Sequence, residues 1–266
     1  MKDHYNRKGR LSSIKGRFKE ECPHCFEILE RFEHTLKLND YSIGRIEKYW
    51  SSLKTIHKEL GKCFDGVQRE DIEKFVISVN RNERWSEWTK SGFKSIIKFF
   101  MRWLLTNQIT GDYPDMVKWV PTKMKKNNSR PPEKLLTKEE VIQLAEAAKN
   151  PRDRALVLVL YETGCRIGEL LNMKIKNIEF DDYGCYIMIS GKTGWRRVRL
   201  INYSKDLVRW LDIHPFKENG ESYVWISQLN TTPNSTISPS LINGKLKELA
   251  KKCNITKPVN VAVKLE

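Results

Sequence analysis

No stretch of this sequence approaches the run of about 18 apolar residues that a membrane-spanning helix needs. The first ten residues, Met1–Arg10, are polar and basic, and no apolar segment follows them, which argues against a secretory signal. We therefore expect a cytoplasmic protein without a membrane partner.

Cysteines are few and scattered, and they stand at positions 22, 25, 63, 165, 185 and 253. A reducing compartment disfavours disulfides between them. Cys22-Pro-His-Cys25 resembles half a zinc site, with Cys63 as a distant third ligand, but a zinc ribbon or finger needs a second close pair, which the sequence does not offer. We predict no metal and no other cofactor, and zinc on Cys22 and Cys25 stays open as the alternative.

Positive charge is in clear excess, with 48 Lys and Arg against 33 Asp and Glu and a net charge of +15 at pH 7. An excess of this size is typical of proteins that bind a polyanion, most often a nucleic acid. The alternative is a lysine-rich surface with no such partner. With 266 residues the chain is long enough for two domains.

The N-terminal half reads as a basic arm followed by a helical domain. Residues 1–20 are basic with few apolar residues, which predicts a mobile arm. From 21 to about 120 the apolar residues recur at helical spacing. The clearest helices are predicted over 42–60, 69–80 and 86–107.

Four basic residues recur every four positions in the last of these helices: Lys90, Lys94, Lys98 and Arg102. They therefore lie in one column on the helix surface, where like charges repel each other. Phosphate groups of DNA would neutralise such a column. A solvated lysine face is the alternative.

A basic, proline-punctuated stretch over residues 121–135 predicts an exposed linker that could follow a DNA backbone. Further candidate DNA contacts lie in the helical half, in this linker and in a later strand: Arg45, Lys123, Lys125, Lys126, Arg130, Arg196 and Arg197.

The C-terminal half, residues 136–266, opens with a helix and a helix break. Thr137-Lys-Glu-Glu140 is a capping box ahead of an apolar helical pattern. Further on, Gly164 interrupts two apolar helical runs, and Arg166 stands two residues after it. An arginine at such a break can direct its five N–H donors at a phosphate.

Three strand-like runs come next, over 175–180, 185–190 and 195–201. The short turns between them predict an antiparallel meander. Lys192 stands at the tip of the second hairpin.

The segment Gly164-Cys-Arg-Ile-Gly-Glu-Leu170, the meander and Gly191-Lys-Thr-Gly194 together resemble, in order and spacing, the catalytic domain of the tyrosine recombinases of phage-integrase type. The helical half resembles the core-binding domain of that family. The resemblance implies a mainly α fold with a small antiparallel β-meander. It also implies two domains, 21–120 for DNA binding and 136–266 for catalysis, that form a C-shaped clamp around double-stranded DNA.

The resemblance further implies a reaction. A tyrosine hydroxyl attacks a DNA phosphodiester and leaves a 3′-phosphotyrosine and a free 5′-hydroxyl, without metal or ATP. Arg166 would clamp the scissile phosphate, Lys192 would protonate the departing 5′-oxygen, and Glu169 would orient the guanidinium of Arg166. Members of the family work as homo-tetramers on DNA, whereas we expect a monomer in solution here.

The sequence departs from the family pattern after Lys192. The family needs a His-x-x-Arg box, a second His or Trp, and the nucleophilic tyrosine, but His214 has no arginine at i+3 and Tyr223, the last tyrosine, comes too early. We therefore expect a chain shortened before these boxes, which binds DNA and does not cut it alone. The alternatives are a non-catalytic remnant or regulator that occupies recombination sites, and an unrelated helical nucleic-acid-binding protein.

Overall fold

The computed structural model describes residues 6–123, 135–191, 194–227 and 235–259. These residues form two compact units, one within Asn6–Asn128 and one within Ser129–Glu266. Among the described residues, no helix is long and apolar enough to cross a membrane. The mainly α fold with one small antiparallel sheet is confirmed.

The first unit is helical. Its helices are α1 (Arg7–Glu21), α2 (Pro23–Leu38), α3 (Ile43–Leu60), α4 (Arg69–Arg81), α5 (Glu87–Thr106) and the short α6 (Asp115–Lys118). A 3₁₀ turn over Phe64–Gly66 lies between α3 and α4. The three helices predicted most clearly are therefore present, and α3 ends where Gly61 takes the left-handed conformation that favours glycine (φ +67°).

Residues 7–20, which we expected in a mobile arm, instead form most of α1. Leu11 and Phe18 are buried in the core of the first unit, and Ile14 packs against it. These apolar residues stand at i, i+3 and i+7, so they share one face of the helix although they are few. The many basic residues around them made this short but regular apolar stripe hard to recognise in the sequence.

The second unit combines helices with a sheet. Its elements are α7 (Lys138–Glu146), α8 (Pro151–Thr163), α9 (Ile167–Leu171), β1 (Ile178–Asp181), β2 (Gly184–Gly191), β3 (Gly194–Leu200), α10 (Ser204–Asp212) and α11 (Pro239–Lys252). The sheet has the antiparallel order β1-β2-β3, which is the predicted meander. The capping box is also confirmed, because the Thr137 N–H donates to Glu140 Oε2 at 2.7 Å and the Glu140 N–H donates to Thr137 Oγ1 at 3.3 Å.

The core of the second unit surrounds α8. Residues 155–160 of that helix are all buried, as their continuous apolar run predicts. In β2 the alternate residues Cys185, Ile187 and Ile189 are buried on one face. This packing fixes both the C-terminal end of α8 and the strand that leads toward the second hairpin.

Candidate functional site

The break between α8 and α9 places Arg166 at the surface. Gly164 ends α8 in the left-handed conformation (φ +55°), and its N–H donates to the Leu160 carbonyl at 3.2 Å. Arg166 then has extended backbone, and α9 begins at Ile167. The Arg166 side chain is 65 % exposed. The predicted interruption therefore leaves its guanidinium open to a ligand.

Glu169 holds Arg166 in place through hydrogen bonds. Its carboxylate is only 2 % exposed and accepts hydrogen bonds from the Arg166 main-chain N–H at 2.9 Å and from Arg166 Nη1 at 3.1 Å. It also accepts a bidentate pair from Arg196 of β3, at 2.9 Å from Nη1 and 2.7 Å from Nη2. The structure thus joins Arg166, Glu169 and Arg196 in one cluster.

Burial by itself would raise the pKa of Glu169, but the hydrogen bonds from Arg196 and Arg166 outweigh it and hold the pKa below its ordinary value. The carboxylate is therefore ionised at neutral pH. Two guanidinium groups around one carboxylate leave a net positive charge, which favours the binding of an anionic ligand.

The hairpin that carries Lys192 reaches this cluster. Lys192 lies outside the described residues, but Gly191, the residue before it, packs directly on Glu169. A Cβ atom at Gly191 would collide with the Glu169 carboxylate. Glycine is therefore required here for close approach, and β2 delivers the chain to the Arg166 cluster one residue before Lys192.

The lysine column on α5 is largely engaged within its own unit. Lys90 Nζ lies 3.1 Å from the Asn80 carbonyl oxygen and 3.0 Å from Glu87 Oε1. Lys98 Nζ donates to the Lys118 carbonyl at 2.7 Å. For Lys94 no hydrogen bond or ion pair is found within the described parts of the chain, and burial lowers the pKa of this half-buried ammonium.

Arg102, the fourth member of the column, points into the unit and not toward solvent. It is 7 % exposed, and its guanidinium donates to the carbonyl of Gly111 at 2.8 Å and to the carbonyl of Ile109. The same group lies over the Tyr113 ring at 4.4 Å. We predicted a DNA contact at Arg102, but the side chain is buried and instead holds the segment after α5 in place.

We expect Arg102→Ala to destabilise the protein by about 1–3 kcal/mol, because two carbonyl groups lose a buried cationic donor. Lys94→Ala on the same helix is the matched control and should change stability by less than about 0.5 kcal/mol. Urea unfolding of both variants measures the difference. Equal, small losses would place Arg102 at the surface after all.

The remaining candidates are spread over both units. Arg45 is exposed on α3 with its guanidinium 5.3 Å from the Tyr49 ring, and Lys123 is exposed. Arg197 lies 3.6 Å from the Tyr186 ring and pairs with Glu179 at 3.2 Å. Three further candidates lie outside the described residues: Lys125, Lys126 and Arg130.

His214 is buried, and its ring forms hydrogen bonds within the turn after α10. His214 is 2 % exposed, and its two ring nitrogens engage the Tyr223 carbonyl oxygen at 3.1 Å and the Phe216 N–H at 3.1 Å. Burial lowers the pKa of this imidazole. Both ring nitrogens therefore form hydrogen bonds with main-chain atoms of this segment.

We predicted Arg196 only as a DNA contact and did not foresee its bond to Glu169. The signal was present, because strand alternation puts Arg196 on the same face as Leu200, which is fully buried. That face turns toward the core and therefore toward Glu169. The pairing of Ile189 with Arg196 places this side chain opposite a buried residue of β2.

Two family models match the chain. The model described as the phage integrase family matches residues 134–261, and that described as the phage integrase N-terminal SAM-like domain matches residues 28–110. Together they span most of both structural units.

Curated relatives are similar over parts of their length. Tyrosine recombinase XerA of Pyrococcus furiosus is 32 % identical over 124 residues, which is 46 % of this chain and 42 % of the relative. A tyrosine recombinase of Thermosipho africanus is 23 % identical over 243 residues, 88 % of this chain and 81 % of the relative. The chain thus spans less than half the length of the XerA relative.

Among solved structures, the dimer of lambda integrase residues 75–356 bound to a COC′ core site is similar at a TM-score of 0.66 with 16 % identity, over 88 % of this chain and 83 % of that one. XerH bound to a palindromic difH substrate is similar at a TM-score of 0.59 with 18 % identity, over 87 % and 68 %. At these identities the likeness shows the fold.

Proposed function

Because the chain belongs to the tyrosine recombinase family of phage-integrase type, we propose that it binds double-stranded DNA and that Arg166 holds a backbone phosphate there. The observation that carries this proposal is the exposed Arg166 guanidinium, fixed from behind by the buried Glu169 carboxylate. A preorganised guanidinium can donate two parallel hydrogen bonds to a phosphate.

The surroundings of Arg166 favour an anion. Arg196 shares the same carboxylate, so the cluster keeps a net positive charge, and the whole chain carries +15. The solved relatives with the same fold are bound to DNA, at a COC′ core site for lambda integrase and at difH for XerH. A basic surface of this kind releases counterions when it binds DNA, so affinity depends steeply on salt.

Lys192 is proposed as the general acid that protonates the departing 5′-oxygen. It follows Gly191 directly in the sequence, and Gly191 packs on Glu169, the carboxylate that also accepts a hydrogen bond from Arg166. In the pentavalent transition state negative charge increases on the oxygen atoms around the phosphorus, and fixed cations stabilise that charge more than they stabilise the starting diester. Arg166 and Lys192 would supply part of that stabilisation.

We propose further that recombination proceeds by tyrosine transesterification in a homo-tetramer on DNA, and that the 266-residue polypeptide alone does not form the covalent intermediate. After Lys192 the sequence contains His214, Tyr203 and Tyr223 as its only histidine and tyrosines. His214 is bonded to its own turn, and the Tyr203 ring lies 6.4 Å from the Tyr161 ring.

Binding to a 30-bp duplex tests the first proposal. We expect log K to fall linearly with log salt concentration, and Arg166→Ala to make the slope shallower by about one unit because one phosphate contact is lost. Arg209→Ala is the matched control, since Arg209 is 71 % exposed in the same unit and pairs with Asp206 at 3.8 Å. Equal slopes for both variants would remove Arg166 from the DNA interface.

A pool of nicked duplexes tests the second proposal. A nick next to the scissile bond lets the small cleaved product diffuse away, so a covalent protein–DNA adduct accumulates whenever cleavage occurs. We expect salt-dependent binding and no adduct on a denaturing gel. An adduct would show that this polypeptide cuts DNA by itself.

A further inference from the structure

Four side chains with metal-binding atoms converge in the helical unit, from three places in the sequence. Cys22 lies between α1 and α2, Cys25 in the first turn of α2, His57 in the last turn of α3, and Cys63 just before the 3₁₀ turn. Sulfur atoms of three cysteines and one imidazole nitrogen all lie within 4.8 Å of one another. The sequence indicated three of these residues, Cys22, Cys25 and Cys63, and the fold adds His57.

The spacing of these atoms fits a single tetrahedral ion. With Zn–S bonds of about 2.3 Å, the sulfur atoms of a tetrahedral site lie about 3.8 Å apart. Cys22 Sγ and Cys63 Sγ are 3.8 Å apart, and neither is in a disulfide. The other pairs need to close by at most about 1 Å to reach the same geometry.

The ligand set and its spacing also fit zinc. Cys22-x-x-Cys25 has the two-residue gap of many zinc sites, and His57 and Cys63 are separated by five residues, within the range of the second ligand pair. Three thiolates with one imidazole favour zinc over hard cations such as magnesium or calcium. Ligand atoms this close together suit one ion, because a cluster of two irons would hold its ligands farther apart.

The surroundings shield and orient the four ligands. Cys25 is fully buried, and the other three ligands are half-buried. The His57 ring is held edge-on between two buried rings, with centroids 5.2 Å from Phe18 and 5.4 Å from Phe64. A ligand ring held in one orientation loses little freedom when it binds a metal.

An ion pair beside the site joins the same two segments. His24, between the two cysteines of the motif, has its Nε2 2.6 Å from Asp65 Oδ2, two residues after Cys63. The start of α2 and the turn after α3 are therefore in contact through ligands and through a neighbouring pair. Four protein ligands leave no open position for a substrate, which is the arrangement of a structural zinc site.

We propose that the helical unit holds one structural zinc ion on Cys22, Cys25, His57 and Cys63. The ion fastens the α1–α2 corner to the end of α3 and to the turn that leads into α4. This site is separate from the Arg166 cluster, and the proposal does not rest on DNA cleavage or binding.

The first test is the metal content of the purified, reduced protein after dialysis against EDTA. We expect about one zinc ion per chain in the wild type, and less than about a tenth in Cys63→Ser, because three ligands bind much more weakly than four. Cys253→Ser is the matched control, since Cys253 is a half-buried free cysteine in the other unit and should keep the full zinc content.

His57→Cys separates loss of a ligand from loss of the fold. It offers four thiolates and should retain about one zinc ion per chain, whereas His57→Asn should lose it. With cobalt in place of zinc, the wild type should show the visible d–d bands of a tetrahedral site and sulfur-to-metal charge-transfer bands in the near ultraviolet. His57→Cys should shift the visible bands. A wild type without zinc, or equal zinc in Cys63→Ser and the wild type, would overturn the proposal.

Discussion

Phe32→Ala is expected to destabilise the helical unit by about 3–5 kcal/mol, the usual loss for removing a buried phenylalanine ring. Phe32 is 2 % exposed at the centre of an aromatic cluster. Its ring centroid lies 5.5 Å from Tyr49, 5.2 Å from Phe100 and 4.9 Å from Trp103. Alanine would leave a cavity between α2, α3 and α5, and the rigid neighbouring rings can close it only in part. Urea unfolding followed by tryptophan fluorescence measures the loss.

Leu38→Ala is the control for this prediction. Leu38 ends the same helix and is 72 % exposed, so its replacement should change the free energy of unfolding by less than about 0.5 kcal/mol. Similar losses for the two variants would mean that the cluster around Phe32 does not hold the unit together.

The helices with a regular apolar stripe and clear ends could be predicted from the sequence. Gly61 and the Thr137–Glu140 capping box mark helix ends by local chemistry that needs no tertiary contact. Helix α1 was missed because its few apolar residues are outnumbered by basic ones, and its stability comes from packing Phe18 into the core. Composition alone does not report that contact.

The site was predictable only where its members are close in sequence. Arg166 and Glu169 are three residues apart at a helix start, so their contact follows from helical geometry. The bond from Arg196 to Glu169 spans 27 residues and depends on the register between β2 and β3. The Arg102 side chain shows the same limit, since a column at helical spacing does not tell which member turns inward.

The zinc ligands show how the fold completes a motif. Cys22 and Cys25 are visible as a pair, but His57 lies 32 positions after Cys25, and nothing local connects them. They meet because the start of α2 and the end of α3 lie together at one corner, next to the 3₁₀ turn. A search for a second close pair of cysteines could not find a ligand pair of His and Cys.

Glu169→Gln is the second large effect that we expect, and it should lower the free energy of unfolding by about 2–4 kcal/mol. A buried amide cannot replace a carboxylate that accepts hydrogen bonds from two guanidinium groups. The amide NH₂ would face the donors of Arg196, which now approach to 2.7 Å. Glu221→Gln is the matched control. Glu221 also pairs with two cations, Lys174 and Lys176, but its side chain is 59 % exposed. Water can therefore solvate the charges after the substitution, and the free energy of unfolding should change little.

The pH dependence of the Glu169 variant follows from the lowered pKa of this carboxyl. Burial raises that pKa, and the stronger effect of Arg196 and Arg166 lowers it below the ordinary value of 4.5. A carboxylate with a depressed folded-state pKa stabilises the protein above its unfolded-state pKa and loses this contribution as pH falls through the folded-state pKa. The stability difference between wild type and Glu169→Gln should therefore be constant from neutral pH down to about 5 and shrink at lower pH. Urea unfolding at a series of pH values measures it. A difference that grows on acidification would mean that the carboxyl is protonated in the folded protein, in which case it could not hold Arg166 ready for a phosphate.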